Sequence, residues 1–130
     1  MYRFDSPGLI PIVRILFLLP LAWLTACDGG AGPVRVQGGD AARGKLLLAQ
    51  YQCGACHRIE GVAAARGQIG PPLDGFGQRS YIAGSVPNAP GTLVRWLIDP
   101  AALKPGTAMP AMGVSADDAR HMAAYLYATP

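Results

Sequence analysis

Cys53-Gly54-Ala55-Cys56-His57 is the stretch on which the reading of this chain turns. Two thiols stand three positions apart, so one tight turn can present both, and a histidine follows at once. That order suits a porphyrin. Each thiol can add across one of two vinyl groups on a ring edge, and the histidine then sits beneath the iron as its proximal ligand. Two other uses of Cys-x-x-Cys compete with this one. A tetrahedral zinc site needs a fourth ligand beyond Cys53, Cys56 and His57, and the other histidine, His121, lies far along a separate helical pattern. A redox dithiol wants a βαβ setting, and no alternating apolar strands flank the motif. The expected cofactor is therefore one covalently attached haem c.

Upstream, Arg3 and Arg14 precede an apolar run from Ile15 to Leu24, and the small residues Thr25 and Ala26 lead to Cys27. Charge, apolar stretch and small-residue exit, in that order, read as an export signal over residues 1–26. The run from Ile15 to Ala26 is about 18 Å long as a helix, short of the roughly 30 Å of a bilayer core. A membrane anchor would need Arg14 to snorkel. Leu24-Thr25-Ala26-Cys27 resembles the bacterial lipobox, which implies cleavage before Cys27 and lipidation of its sulfur. The alternative is a plain secretory leader cut near Ala26. Residues 27–39, with Asp28-Gly29-Gly30-Ala31-Gly32-Pro33, read as a flexible tether. The folded domain is expected over residues 40–130.

The chain has 130 residues, enough for one domain, and 17 glycines with 12 prolines favour loops over long elements. A core this small gains from a cofactor that fills part of it. The net charge of +3 comes from scattered basic residues. With no basic run and no interleaved aromatics, nucleic-acid binding is not expected. Three cysteines cannot all pair within one chain, and the lipobox and the haem motif account for each of them.

Three helices can be read. Asp40 caps a helix to about Tyr51, with Leu47, Leu48 and Tyr51 as its apolar stripe. Thr92 is expected to cap Leu93 to Asp99, and Pro100 to stop it. Ser115-Ala116-Asp117-Asp118 is a capping pattern for a last helix whose buried stripe is Ala119, Met122, Ala123 and Leu126.

The segment from about Asp40 to Ala128 resembles a class I cytochrome c. The resemblance implies an all-α fold in which the N- and C-terminal helices cross beside a covalently bound haem. Gly44 would then admit the last helix at close range, with Tyr125 crossing near it. Pro105-Gly106-Thr107-Ala108-Met109-Pro110 is similar to the family's distal loop, which makes Met109 the sixth iron ligand, with Thr107 beside it. A neutral, soft thioether favours Fe(II) and closes the iron to oxygen and peroxide. Met112, three residues on, is the rival, read as an apolar gap-filler. A bis-histidine site through His121 is a third option, disfavoured because His121 reads as surface-facing.

Gly70-Pro71-Pro72-Leu73 resembles the loop behind the proximal histidine, which implies that the Pro71 carbonyl accepts the Nδ1 proton of His57 and that Leu73 packs on the ring. Arg79 falls at the family position beside a haem propionate, the alternative being a solvated surface arginine. Tyr81 and Trp96 are either haem neighbours or ordinary core aromatics.

Tyr81-Ile82-Ala83-Gly84, Asn88 and the run from Trp96 to Gly106 are similar to cytochrome c domains linked to haem-copper terminal oxidases. The resemblance implies a periplasmic electron carrier, not an enzyme, held at the membrane through Cys27, with redox proteins as partners and no small-molecule substrate. A terminal oxidase or another respiratory enzyme is the expected acceptor. The alternative is a haem c subunit of a periplasmic dehydrogenase or thiosulfate-oxidising complex. A peroxidase-like enzyme would need an open iron site, which Met109 argues against.

Overall fold

Asp40 opens the first helix, α1 (Ala41–Gln50), its carboxylate accepting from the amides of Ala42 and Arg43 at 2.8 and 3.1 Å. Those donors would otherwise lack partners, as at any helix start. The computed structural model describes residues 34–130, so the expected leader, Cys27 and the first part of the tether lie outside the described residues. Within the remainder of the tether, Val36 packs on the core and its carbonyl accepts from Gly39 at 3.0 Å, so folded structure begins slightly ahead of Asp40.

After α1 comes a single 3₁₀ turn at Cys53–Ala55, then a long loop and a second 3₁₀ turn at Phe76–Gln78. A two-stranded hairpin follows, β1 (Tyr81–Ile82) and β2 (Val86–Pro87), with Tyr81 opposite Pro87 and Ile82 opposite Val86. The sequence gives no period-2 signal for strands this short. Helix α2 spans Pro90–Ile98 and the four-residue α3 spans Pro100–Leu103. The last helix, α4, runs over Ala116–Ala128.

Two helix starts differ from expectation. Helix α2 begins at Pro90, two residues before Thr92, because proline's fixed φ and missing N–H suit the first helical position. Pro100 does end α2, yet Asp99 at once caps α3, accepting from the amide of Ala102 at 3.2 Å. The cap of α4 is the expected one, with Ser115 Oγ accepting from the Asp118 amide at 3.1 Å.

The core lies where α1 and α4 cross. Leu47 and Leu48 of α1 are buried against Ala119, Met122, Ala123 and Leu126 of α4, and Leu93, Trp96 and Leu97 of α2 close another side. A Cβ on Gly44 would run into the carbonyl of His121, so only glycine lets the two backbones approach this closely. The crossing therefore falls at His121, one turn before Tyr125, whose hydroxyl instead donates to the carbonyl of Glu60 at 2.7 Å.

His121 is not surface-facing. It is 9% exposed, its Nδ1 accepts from the Asp40 amide at 2.9 Å, and its Nε2 lies 3.5 Å from an Asp117 oxygen. The buried face of α4 is wider than its four-residue stripe because the start of α1 covers its flank as well. Among the described residues, no helix is long and apolar enough to cross a membrane.

Candidate functional site

The turn holding both thiols is built by backbone bonds. Amides of Cys56 and His57 donate to the carbonyl of Cys53 at 3.3 and 3.0 Å, which sets His57 directly after the turn. Gln52 enters the turn in left-handed backbone (φ 56°). The lack of a side chain at Gly54 has a local cause. A Cβ there would overlap Ala65, and the Gly67 amide donates to the Gly54 carbonyl at 3.0 Å, so the loop after the motif folds back onto the turn.

Cys53 and Cys56 are both half-buried thiols. Burial pushes the Cys53 thiol above its ordinary value, with a smaller push from Cys56. A redox dithiol needs the opposite, a thiol made acidic by its surroundings. A thioether is neutral and carries no such penalty in the same place. Among the described residues no three of His, Cys, Asp or Glu converge to hold a bare metal ion. The zinc and dithiol readings of Cys-x-x-Cys thus lose their structural support.

His57 is held from behind by the loop Gly70–Asp74. Its Nδ1 donates to the Pro71 carbonyl at 2.7 Å. A carbonyl can only accept, so the ring proton sits on Nδ1 and Nε2 carries a free lone pair. The loop is docked at both sides of the histidine, the Gly70 amide on the Cys56 carbonyl and the Leu73 amide on the Arg58 carbonyl, each at 2.8 Å. Arg58 Nε adds an ion pair to Asp74 at 2.6 Å. A Cβ on Gly70 would overlap the imidazole itself. Gly70 is thus a positioning residue, which its place in the Gly70-Pro71-Pro72-Leu73 motif alone does not reveal.

Arg79 belongs to this loop as well. Its Nη2 donates to the carbonyls of Pro72 and Asp74 at 2.6 and 3.0 Å, and its guanidinium lies 5.6 Å from the Phe76 ring centre. The arginine thus braces the proximal loop, and is neither a free surface group nor only an anion partner. Its own backbone is fixed by Asn88 Nδ2, which donates to the carbonyls of Arg79 and Phe76 at 2.9 and 3.1 Å. Asn88 Oδ1 in turn accepts from the Tyr127 hydroxyl of α4 at 2.7 Å. A continuous set of bonds therefore runs from α4 to the loop behind His57.

On the other side, Trp96 of α2 is buried and its indole Nε1 donates to Met109 Sδ at 3.2 Å. Met109 is half-buried against the core, and Met112 is 44% exposed. The Met109 amide leans on Thr107 Oγ1 at 3.4 Å. Leu73 is half-buried and packs against the core, whereas Tyr81 is 56% exposed on β1. Trp96 is the aromatic that the fold ties to the methionine.

The structure thus offers an imidazole nitrogen whose partner nitrogen is already bonded, a thioether sulfur oriented by an indole, and two adjacent thiols. Such a soft and neutral donor set fits haem iron and a porphyrin edge. A small helical fold with this site defines an electron-transfer haem protein. The cytochrome c family model matches residues 41–129, most of the chain, and the chain belongs to the cytochrome c family, whose members carry haem c. The chain is also similar to cytochrome c oxidase subunit 2 of Alkalihalophilus pseudofirmus, 36% identical over 87 residues. That match takes in 66% of this chain and spans 25% of the relative's length.

Proposed function

We propose that this protein is a monohaem electron carrier in which Cys53 and Cys56 bind the porphyrin through thioethers, His57 Nε2 is the proximal ligand and Met109 Sδ the distal one. The observation that carries the reading is the His57–Pro71 bond, which fixes the imidazole in the tautomer a metal ligand needs. Haem, when bound, supplies the one-electron iron couple. The residues supply the rest. Pro71 strengthens the imidazole as a donor, Trp96 orients the sulfur, and Leu73 with the buried aromatics excludes water. Arg79 spends Nη2 on the loop, and among the described residues no acceptor takes its Nε or Nη1, which leaves these groups for a haem propionate.

We further propose a periplasmic location with membrane attachment through lipidated Cys27, and a terminal oxidase as electron acceptor. The lipobox-like sequence supports the first, and the subunit 2 relative supports the second. A tether would raise the carrier's concentration beside membrane partners without any new contact.

The test is made on protein coexpressed with a haem-attachment system. A mass increase of one haem that survives denaturation is expected, together with the weak red charge-transfer band of thioether–Fe(III) ligation. Met109→Ala should lose that band and let the reduced protein bind carbon monoxide, while Met112→Ala keeps it. A colourless product, or a band lost in Met112→Ala alone, would overturn the assignment.

A further inference from the structure

We propose that Lys104 is a positioning residue for the methionine loop, strapping it to the hairpin so that Met109 stays in place. The proposal rests on Met109 being the distal ligand. Between the end of α3 and the start of α4, residues 104–115 form no regular element. Pro105 and Gly106, the latter at φ 78°, leave the stretch around Thr107 with little support of its own. Among the described residues, two hydrogen bonds fasten the stretch 104–109 to distant elements. One is the Trp96 indole on Met109 Sδ. The other runs from Lys104 Nζ to the carbonyl of Ala83, at 2.6 Å and across 21 residues.

The geometry of both partners suits a strap. Ala83 sits at the tip of the β1–β2 turn in left-handed backbone (φ 48°), so its carbonyl is outside the two-strand ladder. Left-handed backbone is unfavourable for alanine, and a charge-assisted bond to that carbonyl helps hold it. Lys104 is only half-exposed. Its backbone carbonyl accepts from the Thr107 amide at 3.1 Å, and Thr107 Oγ1 receives the Met109 amide. A pull on the ammonium is thus passed along three residues to the methionine. Without the strap the indole bond would be the one hydrogen bond left from a distant element onto this stretch, and the loop would open more often.

An open loop is read by competition for the iron. Oxidised holoprotein is titrated with imidazole, which displaces a thioether only when the loop opens. Lys104→Met keeps the stem and removes the donor, and we expect about five- to tenfold tighter imidazole binding. Lys104→Arg, which restores a cationic donor, should return most of the difference. Amide exchange provides a second readout: the Thr107 amide should exchange faster in Lys104→Met while the α2 amides keep their protection. Lys104→Gln serves if Lys104→Met fails to fold. Unchanged imidazole affinity together with unchanged Thr107 exchange would overturn the strap. A wild-type protein lacking the thioether band would instead remove the Met109 ligation beneath it.

Discussion

At the scale of single residues, the indole of Trp96 and the sulfur of Met109 meet although 13 positions separate them. A thioether sulfur that accepts an N–H has less electron density to give a metal, which disfavours Fe(III) relative to Fe(II). Trp96→Phe keeps the ring and removes the donor. The midpoint potential should fall by tens of millivolts, since a hydrogen bond of about 1 kcal/mol corresponds to about 40 mV for one electron. Potentiometric titration reads the change, and a potential unchanged or raised would remove Trp96 from this role. The turn that carries Cys53, Cys56 and His57 was legible in sequence because two thiols and a histidine at this spacing need only one local turn. The indole–sulfur bond was not, because nothing local to Trp96 announces which atom its N–H will find. His121 shows the same limit: its buried position is set by the Asp40 amide, 81 residues away.

At the scale of elements, α4 is joined to the proximal loop through Tyr127, Asn88 and Arg79. Burial pushes the Tyr127 hydroxyl from 10.0 up to about 12. The folded state therefore keeps this proton where the unfolded chain releases it. Its stabilising effect is complete below pH 10, declines as pH rises, and is gone above the folded value near 12. Tyr127→Phe should lower stability at neutral pH, through loss of the bond to Asn88, and flatten the alkaline decline. Urea unfolding at a series of pH values tests both, and an equally steep decline in the variant would refute the assignment. The capped ends of α1 and α4 could be read in advance because Asp40 and Ser115 bond within their own first turns. The start of α2 at Pro90 and the whole of α3 could not, since each proline reads two ways: Pro90 opens a helix for which Thr92 is a competing cap, and Pro100 both stops α2 and starts α3.

At the scale of the whole molecule, the proposed attachment through Cys27 predicts a clean separation. Cys27→Ser should move the protein from the membrane to the soluble fraction with its absorption spectrum unchanged. Wild-type protein recovered wholly in the soluble fraction would remove the tether from the proposal. The general architecture was legible because the matching segment is nearly the entire domain, whereas its internal fastenings depend on contacts between segments far apart in sequence. The crossing of α1 and α4 at Gly44 has one more effect, on the order of events during biogenesis. Leu47 and Leu48 have their main apolar cover in α4, which is synthesised well after α1. A growing polypeptide cannot close this long-range contact before α4 has been made, so the Cys53–His57 turn stays without its finished core until then.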